Sequence, residues 1–233
     1  MASKEKVPVV VLACRVLEDM FEPLLPAGFA SQVKFMDYGL HRMPQRMNQA
    51  LQTELDKIEQ PSLVVLGYAL CGNGLDNIHA GHHTLLIPRT DDCIALLLGS
   101  YEAYRREFQS APGTYYLSKG WLESGSHPLK EYEEIKAKYG EEEAKWIMDM
   151  QYRNYKRLCL VAHNRCDLER YRSQAQAVAR FCEQWNFTYK EIMGSDAYVR
   201  RLIDLAIDLS KADGDFIVVP PRGKITQDLF RRS

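Results

Sequence analysis

Cys14, Cys71 and Cys93 are the residues whose type and setting bear most directly on chemistry. Val7 to Ala13 reads as a buried strand that ends at Cys14. Leu63-Val64-Val65-Leu66 reads as another, with the length and β-branched content of a strand buried in a parallel sheet. Cys71 follows it in the turn Cys71-Gly72-Asn73-Gly74. Cys93 follows Asp91 and Asp92, which are good helix-start residues, and is expected in the first turn of an apolar helix. A first-turn position favours the thiolate through exposed backbone N–H groups and the helix dipole. Three thiolates can hold a zinc ion with an open fourth position. They can equally hold a [4Fe–4S] cluster with one iron left open. Against this, free cysteines are among the most buried residue types, and the long gaps match no compact metal motif.

Other residues gather near these thiols in sequence. Arg89 precedes Cys93 and is suited to binding a carboxylate or phosphate in bidentate fashion. Gly72 and Gly74 allow the loop backbone to approach a ligand or to take positive φ. They are no dinucleotide fingerprint, because too few residues separate Gly74 from the next strand for a crossover helix. Arg222-Gly223-Lys224 resembles the tail of a phosphate loop, but Val218 stands where glycine is required. Lys224 is retained as a candidate anion contact at a strand end. His79, His82 and His83 are potential metal ligands or a solvated loop, and Cys166 is a potential fourth thiol. Asp91 and Asp92 are expected as helix caps. Tyr115, Tyr116 and Trp121 suit a pocket wall or core packing. Cys159 and Cys182 are expected in the core.

Elements that alternate along the chain must position these groups. Strands are expected at 32–38, 84–87, 157–162, 188–193 and 216–219, with a short strand or extended loop at 114–117. Helices are expected at 44–58, 101–108 in continuation of the Cys93 helix, 129–139, 141–155, 168–185 and 196–209. Met47, Leu51, Leu55 and Ile58 recur at helical spacing in the first of these. Strand–helix alternation argues for parallel sheets with right-handed crossovers. The expected fold is α/β, with two Rossmann-like lobes of mostly parallel sheet facing a shared cleft. Residues 1–125 form the lobe carrying the cysteines, 126–156 a helical connector and 157–233 the second lobe.

The totals narrow the function class. The 233-residue chain carries a formal net charge of −1, which gives no footprint for nucleic acid or a membrane surface. No apolar run approaches the roughly 18 residues of a membrane span. The six cysteines include no CxxC pair and do not resemble a secreted disulfide framework. The opening Met1-Ala2-Ser3-Lys4-Glu5-Lys6 lacks a signal-peptide pattern, so a cytoplasmic protein is expected.

Three stretches carry a family resemblance: 66–75 (Leu-Gly-Tyr-Ala-Leu-Cys-Gly-Asn-Gly-Leu), Ile87-Pro88-Arg89 with Asp92-Cys93 and 97–100, and 112–117 with Gly120-Trp121. In these the chain resembles domain of unknown function 1638, a family of methanogenic archaea and anaerobic bacteria, with the second half matching loosely. The resemblance strengthens Cys14, Cys71 and Cys93 as a set without choosing the metal. It also implies an association with corrinoid-dependent methyltransferase proteins and one-carbon metabolism. The expectation is thus a zinc- or iron–sulfur-dependent protein acting on a small anionic or methylated molecule. The alternative is a non-catalytic small-molecule or corrinoid binding protein, or an accessory chaperone.

Overall fold

The computed structural model describes residues 7–232, so the six N-terminal residues read for a signal lie outside the described residues. In chain order the elements are β1 (Val9–Cys14), α1 (Glu18–Phe21), β2 (Gln32–Met36), α2 (Pro44–Asp56), β3 (Leu63–Gly67), β4 (Thr84–Pro88), α3 (Ile94–Leu98), α4 (Tyr101–Ser110) and β5 (Thr114–Leu117). There follow α5 (Lys119–Glu123), α6 (Pro128–Tyr139), α7 (Glu141–Tyr152), β6 (Arg157–Ala162), α8 (Arg165–Cys182), β7 (Thr188–Met193), α9 (Ala197–Ile207) and β8 (Phe216–Val219). The fold is mixed α/β in two units. One comprises the chain up to Leu96 together with Asp196 onward, and the other runs from Leu97 to Ser195. Among the described residues no helix is long and apolar enough to cross a membrane.

The first unit is built on a five-stranded sheet in the order β2-β1-β3-β4-β8. β1, β2, β3 and β4 run parallel, and β8 pairs antiparallel with β4 through Leu85↔Val219 and Ile87↔Ile217. Every residue of β1 and β3 is buried, which is why both read as unbroken apolar runs. β2 lies at the edge, and its Gln32 and Val33 are exposed. α2 buries Met47, Leu51 and Leu55, the stripe expected from their spacing. Gly67 faces Ala13 across the β1–β3 ladder. A Cβ at Gly67 would lie 2.4 Å from the Ala13 Cβ and 2.8 Å from Phe21 Cε2, so only glycine lets these strands and that ring close together.

The second unit has a parallel three-stranded sheet in the order β5-β6-β7. α8 is capped by Asn164, whose side chain accepts from the Asp167 N–H at 2.8 Å. It then buries Leu168, Tyr171, Ala175, Val178 and Cys182 at spacings of three and four. Gly140, at φ 93°, turns α6 into α7, and Met148 and Tyr152 of α7 enter the same core.

Three features depart from the linear reading. β8 completes the first unit's sheet instead of a C-terminal lobe. The segment 126–156 is no connector, since it packs inside the second unit between that unit's first and second strands in sequence. The apolar helix after Cys93 also stops at Leu98. Gly99 takes φ 89°, and Ser100 caps a separate helix by accepting from the Ala103 N–H at 3.0 Å. Local apolar pattern marks where a strand is, but only sheet pairing decides which sheet it joins.

Candidate functional site

β1 lies between β2 and β3, so the strand order reverses there. Open α/β sheets bind ligands outside the carboxyl ends of strands at such a switch point. Cys14 is the last residue of β1, Tyr68 directly follows β3 and leads to Cys71, and Arg89 to Cys93 follow β4. The three cysteines singled out by sequence therefore belong to three adjacent parallel strands, Cys14 as the last residue of β1 and Cys71 and Cys93 in the loops after β3 and β4. The loops after β3 and β4 are tied together by backbone. Leu70 N–H donates to the Thr90 carbonyl at 3.0 Å, and Cys71 N–H to the Asp91 carbonyl at 2.9 Å. This brings the Cys71 and Cys93 sulfurs to 3.4 Å.

The backbone around Cys71 is unusual. Cys71, Gly72 and Asn73 take φ of 49°, 62° and 70°, three left-handed residues in succession. For a cysteine this costs about 1 kcal/mol or more and persists only where surrounding contacts enforce it. The segment just after these residues is anchored from two sides. From α2, the Asn48 amide donates to the carbonyls of Gly74 (3.2 Å) and Asp76 (2.6 Å), and the Gln52 side chain bonds both the N–H and the carbonyl of His79. From the C-terminal segment, Ile225 accepts from Asn77 and donates to Ile78, and Gly223 accepts from Ala80.

The thiols and Tyr68 sense one another. Burial pushes the Cys14 thiol well above its ordinary value, and Cys93 beside it acts in the same direction. The hydrogen bond with Cys93, and then burial, hold Cys71 well above its own. Tyr68 is fully buried, and its hydroxyl is pushed far up by that burial and then by Cys14, Cys93 and Cys71. Thus without a cation Cys14 and Cys71 are neutral thiols, clustered with a phenol. Cys14 and Cys93 are buried, and Cys71 is the partly exposed member. Among the described residues no group of three or more His, Cys, Asp or Glu side chains stands arranged to hold a metal ion. The arrangement is a close sulfur pair with a third thiol within electrostatic reach.

The other expected residues divide. Cys93 sits in the turn before α3, one residue short of the helix, and the Asp92 carboxylate accepts from the Ile94 N–H at 2.9 Å. α3 has only five residues, too few for the dipole expected to act on Cys93. Gly72 lines an open groove of about 680 Å³ with Asn48, Gln49, Asn73 and Asn77. Gly74 packs on α2, where a Cβ would lie 2.0 Å from Met47 Cε. Lys224 does not come from a second lobe. It belongs to the cysteine-bearing unit, where its Nζ donates to Asn77 Oδ1 at 3.1 Å. The Arg89 guanidinium donates to the Arg231 carbonyl. His83 is buried, and its Nδ1 accepts from the Ser62 N–H at 3.3 Å, a structural role. His79 and His82 are exposed and line a shallow depression of about 520 Å³ with Arg222.

In the second unit Cys166 is exposed at the start of α8, Cys159 and Cys182 are core residues, and Tyr115 and Trp121 pack against the core. Sequence reading missed Tyr68, Thr90 and Asp37 at the site. Asp37, just after β2, acts electrostatically on both Cys14 and Tyr68. The available signal was positional: each directly follows a strand or lies one or two residues beyond it.

Comparison with curated proteins returns no match, and neither does comparison with solved structures. The family model described as "Protein of unknown function (DUF1638)" matches residues 35–203, the span that holds Cys71, Cys93 and the loops around them, and the chain therefore belongs to the DUF1638 family.

Proposed function

We propose that Cys14, Cys71 and Cys93 form a thiolate site for one metal ion of the zinc type. In this reading the protein uses the ion on a small anionic or methylated molecule. The observation that carries the reading is the 3.4 Å approach of Cys71 and Cys93 at adjacent strand ends. Two thiolates on one tetrahedral zinc, each at about 2.3 Å, stand about 3.8 Å apart. Thiolates of a cluster bind different irons and are spaced more widely, so the close pair favours a single ion over [4Fe–4S]. Cys14, within electrostatic reach of both, would move in as the third sulfur, and a divalent cation inverts the local preference for neutral thiols by binding their deprotonated forms.

Cys71 is the partly exposed member of the set, so the open position is reached from its side. When bound, such an ion supplies Lewis acidity or activates a substrate thiol for methyl transfer. The chain's own groups do the rest. Asn48 and Gln52 anchor the segment from Gly74 to His79 that follows Cys71, and Tyr68 lies buried among the thiols. The family resemblance supplies the biological setting proposed here, corrinoid-linked one-carbon metabolism.

The test is metal analysis of protein purified without oxygen, before and after incubation with zinc. One zinc per chain is expected, with loss of most of it in both Cys71→Ser and Cys93→Ser. A folded protein that takes up no zinc, or a Cys71→Ser variant with full zinc content, refutes the site. A brown protein with about four irons per chain refutes the choice of a single ion.

A further inference from the structure

Arg89 carries a charge that no carboxylate among the described residues answers. Its guanidinium donates through Nη2 to the Arg231 carbonyl, and its backbone bonds to the Asp215 carbonyl (2.7 Å) and the Arg232 guanidinium (2.6 Å). The three arginines around it are all paired. Arg201 bonds Asp213 and Asp215, Arg232 bonds Asp215, and Arg231 bonds Asp228. Four arginines thus face three aspartates, and Arg89 is the one left over. Its Nε is buried and has no hydrogen-bond partner. The next residue, Thr90, is 1% exposed, and its Oγ1 is also buried without a partner. A buried donor without an acceptor is costly, more so when it belongs to a charged group. Two such donors on consecutive residues, beside one unanswered positive charge, describe the complement of a small anion.

We propose that an oxyanion, the carboxylate or phosphate of a small molecule, binds at the carboxyl end of β4 and accepts from Arg89 Nε and Thr90 Oγ1. Thr90 N–H donates to the Pro88 carbonyl at 3.1 Å, so the chain turns at Arg89 and does not continue as an extended strand. The Thr90 carbonyl is bonded by Leu70 and the Asp91 carbonyl by Cys71, which ties the anion position to the thiol loop through backbone alone. The anion position and Cys71 thus lie on loops that are bonded to each other through backbone. This names the substrate class of the reading above and rests on it for its chemical meaning. The anion site itself stands on Arg89 and Thr90.

The experiment is titration calorimetry and thermal shift of the wild-type protein with inorganic phosphate and with acetate, each against chloride of matched ionic strength. Wild type is expected to bind at least one of the two and to gain stability beyond the chloride control. The stronger ligand shows whether the group is a phosphate or a carboxylate. Arg89→Gln is expected to weaken binding at least tenfold and Thr90→Val several-fold. Arg89→Lys, which keeps the charge but lacks Nε, is expected to weaken it as well and serves if the glutamine variant does not fold. The wild-type protein stripped of metal by a chelator is expected to bind the anion still, which separates failure of this site from failure of the metal site. Absence of binding beyond chloride in the wild type overturns the proposal, and so does unchanged affinity in the Arg89 variants.

Discussion

Replacing Gly67 with alanine tests whether close approach of β1 and β3 positions the thiols. In an unhindered strand, Gly→Ala stabilises by about 0.5–1 kcal/mol, because the unfolded chain loses freedom and the strand gains a side chain. Here the new methyl would stand 2.4 Å from the Ala13 Cβ and 2.8 and 2.9 Å from two ring atoms of Phe21. Ala13 and Phe21 are both 0% exposed, so neither has room to yield cheaply. Overpacking of this kind costs about 1–3 kcal/mol, and the triple contact puts Gly67→Ala towards the upper end. After subtracting the entropy gain, a net loss of about 2 kcal/mol is expected. For a chain of 233 residues that is a fall in Tm of roughly 4–8 °C. Differential scanning calorimetry of the metal-free protein measures it. Ala13→Gly in the same background is expected to recover part of the loss, since it removes the closest contact and leaves Phe21. Cys14 and Tyr68 are the next residues along each strand, so the wedge also displaces the thiol cluster and is expected to weaken zinc uptake. An unchanged or raised Tm for Gly67→Ala refutes the reasoning.

Further expectations concern the second unit and the thiols. Glu107 accepts from Arg157 (2.9 Å) and Lys190 (3.0 Å), and these bonds outweigh the opposing effect of its burial to hold its carboxyl below the ordinary 4.5. Arg157 is 12% exposed and would be left without its carboxylate, whereas Lys190 at 41% is screened by water. Glu107→Gln should therefore cost about 2 kcal/mol at pH 7 in urea unfolding. The folded value is the depressed one, so the stabilisation is present above the unfolded carboxylate pKa and disappears as pH falls through the folded value. The gap between variant and wild type should close in acid, and a gap that is constant from pH 7 to pH 3 contradicts the pairing. In the reduced, metal-free protein, maleimide should label the exposed Cys166 first and the partly exposed Cys71 next. Cys14, Cys93, Cys159 and Cys182 should react only on unfolding; rapid native labelling of Cys14, read by peptide mass spectrometry, would contradict its burial.

Much of the architecture was legible along the chain. Val9–Cys14, Leu63–Gly67 and, after Arg157, the rest of β6 are unbroken apolar runs because parallel strands are covered on both faces. Met47, Leu51 and Leu55 gave α2 through their period, and the short span after Gly74 excluded a dinucleotide crossover helix. The separate helix starting at Tyr101 was not visible, because Gly99 can take either sign of φ and only its surroundings choose. A Cβ there would lie 2.7 Å from the Ser195 Cβ. The sheet that β8 joins was equally hidden, since an apolar tetrapeptide fits the edge of any sheet. That one assignment moves Lys224 into the cysteine-bearing unit and brings Arg232 against Arg89.

The candidate site shows the same division. Sequence by itself named Cys14, Cys71 and Cys93 and set each after an apolar run, because a strand must end where its apolar run ends. That their strands are neighbours, ordered β1-β3-β4 across a switch point, was decided by backbone pairing between segments distant in sequence. The 3.4 Å spacing of Cys71 and Cys93 depends on backbone bonds between the loops after β3 and β4, and the segment after Cys71 is anchored by α2 and the C-terminal segment. The unanswered charge of Arg89 is likewise tertiary. Arg89 stands apart only because the fold brings Arg201, Arg231 and Arg232 together with three aspartates and leaves it no fourth. Residue type determined which chemistry was available, and the long-range pairing of strands, which local sequence does not encode, decided which groups meet.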